Sequence, residues 1–392
     1  FEFDHKLLDN LTIGGSIMMS YSKNDRVEGD QTLYGPLPNA LSIPAIYPVL
    51  NADGSYNEDG PYANPVAIID HTINEAFTNR NNGNVYLEYK FLNGFIFTSK
   101  WGADQYLLRE HEYDPITVAQ GAKYNGLGIE GTTYVSNLVS SNVLQYIKSV
   151  EKTHHFEALA GYSLEKYASR NTYIEAVEFP NENLEYITSA GSIRSASAYG
   201  LERGMNSYFG QFKYNYKYKY IITLTARADG SSKFGKNNRY GYFPAASVAW
   251  RVKEESFMNS VKAVSELKLR ASVGLTGNDG IDDFASLGLY GGGFNYGQRP
   301  GIAPTQLPNP DLKWETTMQT GLGFDLGMFD DRISLVADVY LNHTRDLLLK
   351  RPLPPSTGYT SIFSNIGELE NKGIELLLNT QNIRGDFTWN TS

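Results

Sequence analysis

About fourteen segments of this 392-residue chain alternate apolar and polar side chains over roughly ten residues each. Residues 267–276 show the pattern best, with Leu267, Leu269 and Leu275 on one face and Lys268 and Arg270 on the other. Successive side chains of a β-strand point to opposite faces, so these segments are strands with one apolar and one wet face. About ten tilted residues also suffice to cross a bilayer. The pattern therefore predicts an all-β chain of strands long enough to span a membrane.

The connections between the predicted strands alternate between short and long. Tight turns near residues 8–10, 92–94, 151–153 and 217–219 join strand pairs, whereas long excursions separate one pair from the next. In an antiparallel up-and-down sheet this order places all long loops at one end, as in outer-membrane barrels. A Greek-key sandwich would not give this order. We therefore predict part of an antiparallel transmembrane β-barrel.

The composition excludes several classes of protein and site. The formal net charge of −9 argues against a nucleic-acid partner held by a basic surface. The 28 tyrosines suit the aromatic girdles of a membrane barrel. Because the chain has no cysteine, disulfides and cysteine-based metal sites are excluded.

Several motifs between about residues 205 and 381 resemble the SusC/RagA branch of the TonB-dependent outer-membrane transporters of Bacteroidetes. Their order and spacing fit that branch throughout. The motifs are RADGSSKFG at 227–235, NRYGYFP at 238–244, LKLRAS with TGN at 267–278, NPDLKWETT at 309–317, and STGY with NIGELENKGIE at 356–375.

The resemblance implies a barrel of about 22 strands that is plugged by an N-terminal domain. It also implies outer-membrane import of a large nutrient, either a glycan or an oligopeptide. A SusD-like surface lipoprotein would be the partner, and the TonB complex would supply the energy. We expect residues 1–392 to be one partial barrel domain, with the plug, the TonB box and the final strands outside it.

The alternation also assigns the two faces of the predicted wall. Lys268 and Arg270 should face the water-filled lumen together with Asp325 and Asp338 on other strands, because charge on the lipid face is costly. The lipid-facing row is then Ile333, Leu335, Ala337, Val339 and Leu341. Trp314 is expected to anchor the wall at a membrane interface.

Aromatic and polar residues in the long loops are the candidate substrate contacts, although packing within the loops is an equal alternative. The candidates are Tyr113, Asp114, Tyr290, Phe294, Tyr296 and Arg299. The carboxylate-rich loop Asn278–Asp283 could hold Ca²⁺. Its spacing does not match an EF-hand, so a solvated acidic turn is the preferred interpretation.

Two other classes of function remain open at this stage. One is an enzyme on a β-rich scaffold, such as a glycosidase, and the other is a soluble carbohydrate-binding sheet. No nucleophile elbow, zinc-protease helix or phosphate loop occurs in the sequence. We therefore predict no catalytic residue and no cofactor.

Overall fold

Fourteen strands form one antiparallel sheet in which each strand pairs with the next sheet strand along the chain. The computed structural model describes residues 1–27 and 34–392. This arrangement confirms the predicted all-β up-and-down architecture. In chain order the strands are β1 (Glu2–Leu8), β2 (Leu11–Asp25), β3 (Ile73–Phe91), β4 (Phe95–Asp114), β5 (Leu127–Val150), β6 (His154–Val177), β7 (Ser192–Tyr216), β8 (Tyr220–Ser231), β9 (Tyr240–Arg251), β10 (Val264–Asn278), β11 (Leu289–Gly291), β12 (Ala303–Gln306), β13 (Glu315–Met328), β14 (Ile333–Arg345), β15 (Leu348–Pro352), β16 (Ser361–Asn365), β17 (Glu368–Ile383) and β18 (Trp389–Thr391).

The remaining regular elements lie in the connections. β11 pairs with β12, and β15 pairs with β16, as small hairpins outside the main sheet. Three short helices occur in the loops, namely α1 (Pro36–Ser42), α2 (Pro65–His71) and α3 (Ala119–Tyr124), and single 3-10 turns lie at Ile187–Ser189, Val252–Glu254, Ser256–Met258 and Pro355–Thr357. No helix within residues 1–27 and 34–392 is long and apolar enough to cross a membrane.

The short connections all lie at one end of the sheet, as predicted. Two of them are three-residue connections whose first two residues adopt positive φ without being glycine: Glu151 and Lys152 have φ values of 51° and 57°, and Lys217 and Tyr218 have 54° and 57°. Paired left-handed residues match the twist of a β-hairpin. The opposite end carries the long connections 26–72, 115–126, 178–191, 232–239, 279–314 and 346–367. The first of these includes residues 28–33, which lie outside the described part of the chain.

Five central strands are much longer than the predicted ten residues. β3 to β7 contain 19, 20, 24, 24 and 25 residues. At about 3.3 Å per residue, β6 is roughly 80 Å long, whereas the apolar band of a barrel is only about 25 Å tall. Many residues that the sequence analysis placed in long loops therefore belong to strands that extend above the membrane. In these extensions both faces carry polar side chains, such as Asn79 and Arg80 on β3, so the regular alternation that identifies a membrane strand is missing.

The outer face of the sheet is apolar and exposed. Leu322, Val339 and Ile374 lie in register on β13, β14 and β17, and their exposed fractions are 61%, 52% and 71%. Near the short turns, aromatic rings replace the aliphatic side chains: the ring centroids of Phe156 and Tyr214 are 5.0 Å apart, and those of Tyr216 and Tyr220 are 6.3 Å apart. An exposed aliphatic band bordered by aromatic rings is the expected surface of a barrel in lipid. The predicted lipid-facing row of β14 is thus confirmed.

Candidate functional site

The inner face of the sheet carries an ion-pair ladder across β10, β13 and β14. Lys268 Nζ lies 3.1 Å from Asp325 Oδ2, and Arg270 Nη2 lies 2.8 Å from Asp325 Oδ1. Arg270 Nη1 also lies 3.1 Å from Asp338 Oδ1. Arg270 reaches Asp338 across Gly323, where an added Cβ would lie only 2.1 Å from a carboxylate oxygen of Asp338. The predicted luminal placement of all four charged residues is confirmed.

A hydrophobic core lies at the long-loop end of the luminal face. Its buried members are Phe234, Phe243, Ile281, Ala285, Leu312 and Trp314. The Trp314 ring lies 5.1 Å from Phe234 and 5.3 Å from Phe243 between ring centroids, and its indole N–H donates to the carbonyl of Arg239 at 3.0 Å. The prediction of Trp314 as a membrane anchor is therefore wrong. The Trp314 side chain instead packs the loops against the wall.

Hydrogen bonds connect three loops around this core. Asn309 Nδ2 donates to the carbonyl of Phe363 at 2.7 Å, and Asn365 Nδ2 donates to the carbonyl of Lys313 at 2.7 Å. The backbone N–H of Lys313 donates in return to Asn365 Oδ1 at 2.9 Å. Asn238 Nδ2 donates to the carbonyl of Asp311 at 2.9 Å. The segments 232–239, 279–314 and 346–367 therefore form one folded unit, which we call the loop platform.

The acidic loop Asn278–Asp283 directs its carboxylates to separate partners. Ser231 Oγ donates to Asp279 Oδ2 at 2.9 Å, and Lys350 Nζ lies 2.8 Å from Asp282 Oδ2. Arg203 Nη1 lies 3.6 Å from Asp283 Oδ2. Across residues 1–27 and 34–392, no three histidine or acidic side chains are grouped to hold a metal ion. The contacts give this loop a structural role in attaching the loop platform to the wall.

Four of the six candidate substrate residues share one exposed hairpin of the loop platform, formed by β11 and β12. Tyr290, Phe294 and Tyr296 are exposed by 72%, 53% and 91%. Reciprocal backbone hydrogen bonds of 3.1 and 3.0 Å join Tyr296 to Arg299. The hairpin thus presents three aromatic rings and a guanidinium group to solvent.

The other two candidates, Tyr113 and Asp114, are buried at the end of β4 and are 2% exposed. Tyr113 lies on the outward face, where its ring packs against Phe179 at 5.0 Å between centroids and its hydroxyl donates to the carbonyl of Asn181 at 3.3 Å. Burial and the nearby acids of the 178–191 loop raise the pKa of this phenol. Direct substrate contact by Tyr113 and Asp114 does not fit this burial. Packing against the 178–191 loop explains the position of Tyr113.

Sequence reasoning missed a polar cleft in the luminal wall beside the loop platform. The cavity has a volume of about 340 Å³ and is lined by Glu165 on β6, Arg203 and Met205 on β7, Ser231 on β8, and Lys233 and Asp279 in the platform. Because Arg203 fell in a predicted loop, its pairing with β6 was not anticipated. We call this cavity the luminal cleft.

A model of the TonB dependent receptor-like β-barrel family matches residues 19–392. The chain belongs to this family. It is 36% identical over 354 residues to TonB-dependent receptor P3 of Formosa agariphila, covering 86% of this chain and 35% of the relative. It is 34% identical over 359 residues to TonB-dependent receptor SusC of Bacteroides thetaiotaomicron, covering 87% of this chain and 35% of SusC. The chain thus spans about a third of the length of these relatives.

Among solved structures, the RagAB peptide transporter shares the fold of this receptor barrel. The TM-score is 0.85, with 21% identity, and the alignment covers 98% of this chain and 44% of the other. Together these similarities confirm the SusC/RagA resemblance and the outer-membrane barrel. The family comprises transport proteins rather than enzymes. A soluble carbohydrate-binding sheet is also disfavoured, because it would expose the apolar outer face to water.

Proposed function

We propose that this chain forms part of the wall of a TonB-dependent transporter that imports a large nutrient, a glycan or an oligopeptide, across the outer membrane. The observation that carries the proposal is the two-faced wall: an apolar outer face, a charged luminal face, and a folded loop platform at one end only. In the complete receptor these fourteen strands would belong to one barrel of about 22, with a plug and the TonB-contacting segment elsewhere in the protein.

The exposed hairpin of the loop platform is the proposed first contact with the nutrient. Tyr290, Phe294 and Tyr296 offer large apolar surfaces with few internal degrees of freedom, as aromatic side chains do in many binding sites. Arg299 adds a cation that makes no ion pair within the described residues. Such a set can stack on sugar rings or pack against peptide side chains. It therefore leaves the choice between glycan and oligopeptide open.

A SusD-like surface lipoprotein is the proposed partner at the loop end, as the SusC/RagA resemblance implies. The RagAB peptide transporter, whose fold this chain shares, supports this arrangement. The rising walls of β3 to β7 would provide a rim for such a lid. The TonB complex would act from the opposite, short-turn side.

Deletion of the gene for the full-length receptor tests import directly. Growth of the deletion strain is compared on single polysaccharides and on oligopeptide mixtures, and the wild-type gene is returned as a control. We expect selective loss of growth on one class of nutrient, restored by the wild-type receptor. Unchanged growth and unchanged uptake on every class would contradict the proposal.

The hairpin contact is tested in the same strain with the double variant Tyr290→Ala and Tyr296→Ala. We expect uptake at limiting nutrient concentration to fall about tenfold, because the few residues that dominate such contacts are often aromatic and each costs about 1 kcal/mol or more when truncated. The matched control is Tyr186→Ala, since this tyrosine is also exposed but stacks on His111 on the outward face. Equal uptake in the two strains would contradict the assignment.

A further inference from the structure

The luminal cleft contains charged groups whose hydrogen-bonding capacity the fold uses only in part. Lys233 Nζ donates to the backbone carbonyl of Asp279 at 3.1 Å, and no carboxylate of the described residues lies within ion-pair distance of it. Its ammonium group can donate three hydrogen bonds, so two donors remain. The single fixed bond holds the lysine against the cleft wall. Lys233 is therefore a positioned cation rather than a freely moving surface side chain.

Arg203 is the second cation of the luminal cleft. Its guanidinium carbon lies 3.9 Å from the centroid of the Tyr167 ring, a cation–π contact that restrains the position of the group. The nearest carboxylate oxygen, on Asp283, is 3.6 Å away, beyond good hydrogen-bond distance. A guanidinium placed over a ring face can still make bidentate contact with a carboxylate through its N–H groups. Arg203 and Lys233 can thus approach one anion from two sides.

The carboxylates of the luminal cleft limit which anion fits. Asp279 Oδ2 is occupied by the hydroxyl of Ser231. Glu165 makes no hydrogen bond or ion pair with the described residues, and it lines the same cavity. A ligand that presents a hydrogen-bond donor close to its anionic group would therefore match both Glu165 and the cations. Chloride and sulfate lack that donor.

The neighbouring sequence strengthens the positive character of this side of the lumen. Residues 232–239 contain Lys233, Lys236 and Arg239 and no acidic residue, although the whole chain has a net charge of −9. The Tyr167 ring cannot serve as a sugar platform on the face that Arg203 covers. A neutral polymer would leave Lys233 without an anionic partner in the cleft and Arg203 with only its 3.6 Å contact to Asp283.

We propose that the luminal cleft binds a carboxylate of the imported nutrient through Arg203 and Lys233, while Glu165 accepts a hydrogen bond from an adjacent hydroxyl or amide N–H. The inference rests on the proposed import function and narrows its substrate class to carboxylated polymers. Two sources share this chemistry: a uronate with its ring hydroxyl groups, and a peptide carboxy terminus with its amide group.

Binding by the detergent-solubilised full-length receptor tests the proposal with two matched pairs of probes. One pair is oligogalacturonate hexamer and its methyl ester, and the other is hexa-alanine and its carboxy-terminal amide. We expect at least one carboxylated probe to bind about tenfold or more tightly than its neutral counterpart, as charge-assisted hydrogen bonds would give. The pair that shows the difference identifies the source. Equal affinities within both pairs, or no binding of either carboxylated probe, would overturn the proposal.

Variants of the cleft residues test whether the preference for a carboxylated probe arises in the luminal cleft. Lys233→Met and Arg203→Met should each abolish most of the difference within a pair, whereas Arg203→Lys should retain part of it. Lys236→Met is the matched control, because this exposed lysine lies in the same loop outside the cleft lining. Heat-modifiable gel mobility verifies that each variant is folded. The proposal would also be overturned if the preference for the carboxylated probe survived both cleft variants, or if Lys236→Met removed it equally.

The two proposals fail in distinguishable ways. If the receptor imports a neutral polymer and Lys233→Met does not change that uptake, the carboxylate inference is wrong and import stands. If deletion of the receptor changes the uptake of no nutrient, the import function itself is wrong.

Discussion

Substitutions at the adjacent positions Val339 and Asp338 should separate the two faces of the wall. Val339→Arg and Asp338→Asn each make the chain more positive by one charge, on the same strand and one residue apart. Val339 is half exposed on the outer face, in register with Leu322 and Ile374. It lies six residues from the start of β14, which at about 3.3 Å per tilted residue is near the middle of a 25 Å apolar band.

The expected effects follow from the surroundings of each side chain. An arginine near the bilayer midplane destabilises a barrel by about 2–4 kcal/mol, which corresponds to about a 30- to 900-fold change in the unfolding equilibrium. For Asp338→Asn, Arg270 keeps its bonds of 3.0 and 2.8 Å to Asp325. The Asp338 side chain is 35% exposed to a water-filled lumen. We therefore expect Asp338→Asn to lower the free energy of unfolding by less than about 1 kcal/mol.

Urea unfolding of the full-length receptor in lipid vesicles measures both effects, with the folded fraction read from heat-modifiable gel mobility. Val339→Leu is a control for the change of side-chain size without charge. Equal destabilisation by Val339→Arg and Asp338→Asn, or a larger effect of Asp338→Asn, would refute the assignment of lipid and luminal faces.

Two further changes test the loop platform and the short-turn end. Trp314→Ala should cost about 3–5 kcal/mol locally, because it opens a cavity in the buried core, so limited proteolysis within 279–314 should accelerate. Glu255 accepts hydrogen bonds from Tyr220, Trp250 and Lys219 at 2.5, 3.2 and 3.3 Å, and the Tyr220 bond foremost lowers the pKa of its carboxyl group. Its contribution to stability is present above the unfolded glutamate pKa, about 4.3, and is lost as the pH falls through the lower folded value. Hydrogen exchange in the 252–263 turn, corrected for its intrinsic pH dependence, should therefore increase on acidification, and Glu255→Gln should remove that pH dependence.

Both experiments have matched controls in the chain. Trp101→Ala removes an equally large ring that is 58% exposed, so cleavage within 279–314 should remain slow. Equal acceleration by both tryptophan variants would contradict the packing role of Trp314. Glu254→Gln removes an adjacent carboxylate whose contact with Arg251 is 3.5 Å long, and it should leave the pH effect intact. A pH dependence that survives Glu255→Gln would contradict the role of Glu255.

The faces of the wall could be predicted from sequence because they depend on local alternation. Leu269 and Arg270 occupy opposite faces whatever their distant neighbours are. The count of fourteen strands and the order of short and long connections were predictable for the same reason. Strand length was not predictable, because residues such as Asn79 and Arg80 belong to a strand segment that has no apolar face.

The candidate site was less predictable because it depends on contacts between distant segments. Trp314 has the sequence context of a membrane anchor, yet Phe234, 80 positions earlier, covers its ring. Tyr113 is polar enough for a binding residue, but Phe179 packs against it from another loop. Arg203 joins the luminal cleft only because β6 and β7 continue to pair far above the membrane. Only the hairpin with Tyr290 and Tyr296 was both proposed from sequence and found exposed.

Substituted-cysteine labelling of the full-length receptor in intact cells tests the orientation of the wall most directly. This chain contains no cysteine, so single cysteines can be introduced once any others in the receptor are replaced. A membrane-impermeant maleimide should label Tyr296→Cys in intact cells and Tyr218→Cys only after the outer membrane is permeabilised. It should not label Leu269→Cys in either case. Labelling of Tyr218→Cys in intact cells, or ready labelling of Leu269→Cys, would contradict an outer-membrane wall with its loop platform outside and Leu269 in lipid.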